Sequence, residues 1–122
     1  MTRPAPQKAS ILKKGVTVDT DVLTLARERI AHVYDLHDHV AVSLSGGKDS
    51  TIILNLTLDE ARKRGRLPLR VVFFDEECIY TENIDYIRRV AANPDIALEW
   101  YCLPVKHRNA CSSESPYWSP WA

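Results

Sequence analysis

The sequence predicts an α/β domain with a parallel sheet in a three-layer α/β/α arrangement, incomplete at its C-terminal side. Three observations carry that expectation. Short, mostly apolar runs rich in β-formers recur at residues 40–44, 69–74 and 97–103. The segments before and between them repeat apolar residues at three- and four-residue spacing, as one helical face does. A Ser-Gly-Gly-Lys-Asp-Ser segment leads from the first run straight into the next helical pattern. The resulting order of helix, strand, helix, strand, helix, strand calls for right-handed crossovers and parallel strands.

Composition narrows the class. The chain has 122 residues, 45% hydrophobic and 26% charged, which suits one domain able to bury a core without disulfides. Formal net charge is zero, so no global field draws in nucleic acid or an anionic membrane, and nucleic-acid binding is not expected. The basic clusters Lys13-Lys14 and Arg62-Lys63-Arg64 are short and read as solvated. Cys78, Cys102 and Cys111 form no C-x-x-C pair, which favours a reducing, cytoplasmic setting. No apolar run approaches the roughly 20 residues that span a bilayer.

Residues 1–19 hold two prolines and a glycine without sustained periodicity and read as an N-terminal tail. Thr20 is placed as a helix cap with Asp21 in the first turn, followed by an apolar stripe of Val22, Ala26, Ile30 and Val33 ending near Leu36. Val40 to Leu44 is the first strand. The next helix opens at about Thr51 and runs to Lys63, with Gly65 as its stop. Leu69 to Phe74 is the second strand and ends in Asp75-Glu76-Glu77. Tyr80, Ile84, Ile87 and Ala91 mark a third helix, closed by Asn93-Pro94, and Ala97 to Leu103 is the third strand. The α/β domain thus covers 20–105. After Pro104 the pattern dissolves into a segment, 106–122, whose Tyr117, Trp118 and Trp121 are too large and apolar for a simple tail. Those rings are expected to pack against this chain or another.

The segment Ser45-Gly46-Gly47-Lys48-Asp49-Ser50 supplies what a phosphate needs. Two glycines let backbone amides approach the oxygens, and the following helix presents bare amides and a positive dipole end. Ser45 and Ser50 add hydroxyls and Lys48 a mobile ammonium. Asp49 is open to three roles: capping the helix, orienting Lys48, or helping to hold magnesium. The segment is not G-x-x-x-x-G-K-[ST], because Val42 and Asp49 stand where that pattern needs Gly and Ser or Thr.

This segment resembles the PP-loop of the adenine-nucleotide α-hydrolases, or ATP pyrophosphatases. Val71 to Asp75 is similar to the second strand of the phosphoadenosine phosphosulfate (PAPS) reductase-like branch, which includes phage and prophage members. Tyr80-Thr81-Glu82-Asn83 resembles that branch's next helix start, so the likeness covers roughly 22–105. It implies that ATP or a related adenine nucleotide binds over the carboxyl ends of the first two strands. The cofactor-binding set is then Ser43, Ser45, Gly46, Gly47, Lys48, Asp49, Ser50, Phe74 and Asp75. Lys48 and Asp49 are the catalytic candidates, and Asp49 with Asp75 the candidates for magnesium.

The sequence departs from the reductase pattern in two respects. No Glu-Cys-Gly segment is present, since Cys111 precedes Ser112-Ser113-Glu114, and cysteines paired for an iron–sulfur cluster are missing. The chain therefore resembles a truncated member, expected to complete its sheet with a second copy or a partner chain along the bare edge of the first strand. Two functions stay open: a nucleotide-using enzyme, adenylating or reductase-like, and a regulatory or assembly protein that keeps the binding fold. His107 and Cys111, four apart, make only a weak metal pair and read as polar loop residues. Asp75, Glu76 and Glu77 read either as ligands for magnesium or ribose or as an acidic turn before a helix. Cys78 reads as a small packing residue.

Overall fold

The computed structural model describes residues 10–11, 16–17 and 19–122. The loose tail expected over Met1 to Pro6 lies outside the described residues. Further along, β1 (Ser10–Ile11) and β2 (Val16–Thr17) pair antiparallel. Residues 1–40 and 41–122 form two compact units.

The first unit carries α1 (Val22–Leu36). Its cap is Asp21, not Thr20: the Asp21 carboxylate accepts from the Thr24 amide at 2.8 Å and from the Thr24 hydroxyl at 3.0 Å. Both residue types suit the position, and the partner three residues on decides it. These bonds, led by the Thr24 amide, hold the Asp21 carboxyl below the ordinary carboxylate range.

The second unit holds a parallel sheet in the order β3 (Ala41–Ser43), β4 (Leu69–Phe74), β5 (Ile96–Tyr101). Val42 lies opposite Val71, and Leu69 to Phe74 run in register with Ile96 to Tyr101. The crossovers are α2 (Lys48–Lys63) and α3 (Thr81–Ala91). Unidirectional order with right-handed crossovers puts α2 and α3 on the same side of the sheet. Strand alternation agrees: Val42, Leu44, Leu69, Val71 and Phe73 are buried, while Ala41, Arg70 and Phe74 are exposed. Leu54, Leu58, Ala61 and Ile87 from the helices complete this core. Each large side chain here contributes about 1.5–3 kcal/mol by leaving water. The α/β class with a parallel sheet, of the adenine-nucleotide α-hydrolase kind, is the architecture expected from the sequence.

Two boundaries differ from expectation. α2 opens at Lys48, three residues early, because Gly47 serves as its N-cap and the phosphate-loop residues themselves enter the helix. Segment 106–122 is ordered where no element was expected: β6 (His107–Arg108) and β7 (Tyr117–Trp118) form an antiparallel pair. His107 stacks on Trp118 at 5.1 Å, and the Lys106 ammonium sits 4.1 Å from the Tyr117 ring centre. The aromatic segment therefore packs on its own chain. Gly65 ends α2 as expected, at φ +65, with the Gly65 and Arg66 amides donating to the Arg62 and Ala61 carbonyls.

Candidate functional site

Two loops leave the carboxyl ends of β3 and β4, and the candidate site lies between them. The first runs Leu44 to Gly47 into α2. Gly46 has φ +88, a left-handed conformation that side chains resist. A Cβ built on it would lie 1.9 Å from Asn83 Oδ1, so the position excludes bulk as well. Asn83, in the first turn of α3, donates from Nδ2 to the Ser45 carbonyl at 3.1 Å and clamps the loop from across the cleft.

The loop's hydroxyls bind one another. The Gly47 amide donates to Ser45 Oγ at 3.3 Å, Ser45 Oγ and Ser50 Oγ lie 2.9 Å apart, and Ser50 Oγ donates to the Gly47 carbonyl at 3.1 Å. Thr51 Oγ1 reaches the same carbonyl at 2.8 Å. Ser45 and Ser50 thus shape the turn from within. What they leave open is the start of α2, whose Gly47 cap has no side chain to cover the first amides. Among the described residues, the side chains of Lys48 and Asp49 make no hydrogen bond or ion pair. Bare first-turn amides, a helix dipole and an unengaged ammonium are together suited to an anion.

Beside the loop is a cleft of about 400 Å³, walled by Ser43 and Ser45 on one side and Phe74, Glu76 and Cys78 on the other, with Asn83 at its edge. Gly46 and Gly47 face a shallower neighbouring depression with Tyr80 and Glu82. Ser43, Ser45 and Phe74 therefore meet around one cleft, while Lys48, Asp49 and Ser50 stand on the first turn of α2.

Asp75 behaves differently. It is nearly buried, and both carboxylate oxygens are engaged: Oδ1 accepts from the Glu77 amide at 2.9 Å, Oδ2 from the Trp100 indole at 3.0 Å. Its own backbone carbonyl accepts from the Trp121 indole at 2.7 Å, and the Trp121 amide donates to Glu77 Oε2 at 2.8 Å. Of the two carboxylates considered for magnesium, Asp49 keeps free lone pairs and Asp75 is already tied into the protein. No group of three or more His, Cys, Asp and Glu is placed to hold a metal among the described residues.

Sequence reading missed Asn83, Trp100 and Trp121. Asn83 carried a usable signal, an Asn in the first turn of the helix that follows the second strand. Trp121 was expected to pack, but the partners of the two indoles carried no signal, because they lie 25 and 46 residues away. His107 and Cys111 do not share a helix, since His107 is in β6. The Arg62-Lys63-Arg64 cluster is met by acids of the same chain, with Arg62 on Asp95 at 2.9 Å and Arg64 on Glu60 at 2.7 Å. No helix among the described residues is long and apolar enough to cross a membrane.

Comparison with known proteins identifies the family. Residues 39–120 match the model of the phosphoadenosine phosphosulfate reductase domain, a span that takes in both loops and the C-terminal hairpin. The uncharacterized protein YbdN of Escherichia coli (strain K12) is 33% identical over 109 residues, which is 87% of this chain and 27% of that protein. The chain therefore spans only a minor part of that relative's length. No solved structure matches. With its loop, sheet and C-terminal hairpin all inside the matched span, the chain belongs to the phosphoadenosine phosphosulfate reductase domain family.

Proposed function

We propose that this chain binds an adenine nucleotide, ATP or a sulfonucleotide, with its phosphates on Ser45 to Ser50 and its base and ribose in the cleft bordered by Ser43 and Phe74. The observation that carries this reading is the uncapped start of α2 beside that cleft, reached through a glycine that Asn83 holds in a left-handed turn. In it Gly46 and the amides of the first turn of α2 meet the phosphate oxygens, the loop hydroxyls shape the turn beneath them, and Lys48 neutralises their charge. Phe74 offers an exposed ring to the base. Asp49 supports magnesium carried in with the phosphates, or orients Lys48. Asp75 acts through the backbone it holds in place. If the bound nucleotide reacts, Lys48 and Asp49 are the catalytic pair, and the protein's share is positioning and charge neutralisation.

The second reading is a regulatory or assembly protein that keeps the nucleotide site. The bare outer edge of β3, which pairs only with β4 among the described residues, favours a second copy or partner chain there in either case. A cytoplasmic setting goes with this reading. The deciding experiment is calorimetric titration with ATP, AMP and PAPS, with and without magnesium. Magnesium-dependent ATP binding supports an adenylating enzyme, and preference for PAPS supports the reductase-like branch. Tight binding without pyrophosphate release supports the regulatory reading, and failure of all three ligands to bind removes the proposal.

A further inference from the structure

Phe74 and Glu76 also line a second cleft, of about 310 Å³, at the carboxyl ends of β4 and β5. Its character is the opposite of the glycine loop's. Four large apolar side chains line it while remaining substantially exposed: Phe74 at 52%, Tyr101 at 39%, Leu103 at 42% and Val105 at 50%. Isolated exposed hydrophobics are ordinary, but four on one concave wall are the signature of a ligand site.

The returning chain builds the cleft. Trp121 anchors the C-terminal segment to Asp75 and Glu77, and the adjoining Pro120, fully buried, forms part of the wall. Glu77 (φ 65) and Trp121 (φ 56) both hold left-handed backbone conformations at this closure, an arrangement that side chains adopt only when the surroundings impose it.

Charge selects the ligand. No Lys or Arg lines the cleft, whereas Asp75 and Glu76 do. The Asp75 oxygens are engaged, and His107 stacks its ring face on Trp118, an uncharged imidazole at neutral pH in the formal count. The Glu76 side chain makes no hydrogen bond among the described residues, so it supplies the unengaged acidic group of the wall. We infer that this second cleft binds a small aromatic or branched-aliphatic amine, its apolar part against Phe74, Leu103 and Val105 and its ammonium beside Glu76. A volume near the lower end of ligand sites suits a single ring with a short chain. This inference goes beyond the nucleotide reading and does not depend on it.

The test uses the full chain and 2-phenylethylamine as probe, with phenylacetate as the same ring carrying the opposite charge. Binding is followed by NMR at the indole signals of Trp100 and Trp121. The expected result is saturable shifts with the amine and at least tenfold weaker binding of phenylacetate. Val105→Arg and Leu103→Lys, both at exposed wall positions, should each weaken the amine tenfold or more while keeping the native amide spectrum. Glu76→Gln should remove most of the preference between the probes. No saturable shift with the amine, equal binding of the two probes, or undiminished binding in both wall variants overturns the inference. An ATP titration of the same sample separates the two proposals: amine binding without ATP binding sinks only the nucleotide reading, and the reverse sinks only this one.

Discussion

The loops that follow β3 and β4 leave neighbouring parallel strands side by side, yet they are held by different means. The β3 loop is bonded almost entirely within itself: its serine, glycine and threonine partners lie two to five residues apart. One distant residue, Asn83, adds a clamp. The β4 loop is held from afar, with Trp100 on the Asp75 carboxylate and Trp121 on the Asp75 carbonyl. A locally bonded loop can keep the first-turn amides of the following helix and its lysine free for a ligand. A loop that serves as an anchor has its polar atoms occupied, which is why Asp75, attractive as a ligand in sequence, is committed to holding the backbone.

The largest expected effect is at Gly46. Gly46→Ala should cost about 1–3 kcal/mol of stability for the left-handed backbone alone, with the collision against Asn83 added, measured by urea unfolding. Combining it with Asn83→Ala should recover the steric share and leave the backbone share. Full additivity of the two losses would break the idea that one side chain clamps the loop.

Lys48→Ala comes next and should weaken nucleotide binding by about 1.5–3 kcal/mol, the range for hydrogen bonds to a charged group. Because the Lys48 side chain has no intramolecular partner among the described residues, the unfolding midpoint should not move. Unchanged nucleotide affinity would remove the phosphates from this loop.

On the anchored side, Trp100→Phe keeps an aromatic ring, though a smaller one, and removes the donor to Asp75, stranding a nearly buried carboxylate oxygen. The expected loss is toward the lower end of about 1–3 kcal/mol in stability. Phosphate-loop signals should be unperturbed in an NMR spectrum of this variant. Shifts at Gly46 and Gly47 equal to those at Glu77 would show that the two loops form one unit.

The smallest effect is a pH dependence on the exposed sheet face. Hydrogen bonding to Arg70, then to Tyr101, lowers the Glu99 carboxyl below its ordinary value of 4.5. A depressed carboxyl pKa contributes stability that is present above 4.5 and is lost as pH falls through the lower folded-state value. Wild type and Glu99→Gln should therefore converge in stability as the solution is acidified below that range. A constant gap between them, followed by thermal unfolding from neutral to acid pH, would assign the contribution to packing instead.

Much of this was legible in the chain itself. The second strand, Leu69 to Phe74, has the bounds read from its apolar run, because a short apolar run flanked by turn residues is a local pattern. The Gly65 stop was readable because a left-handed C-terminal cap selects glycine. The start of α2 was read three residues late, since glycine in the capping position looks like loop until the backbone is seen. The C-terminal hairpin was missed altogether. Its two short strands, of two residues each, are too brief to show alternation, and the ring contacts that hold them span ten residues or more.

The sequence by itself determined the α/β order, the strand that feeds the glycine turn, and the family resemblance of that turn, because each depends on residues within about one helical turn of one another. The tertiary structure decided which carboxylate is free and which is bound, that Asn83 closes over Gly46, and that Trp121 returns to build a second cleft. Those outcomes depend on which distant side chains the parallel crossovers bring to one end of the sheet, and no local spacing encodes that meeting.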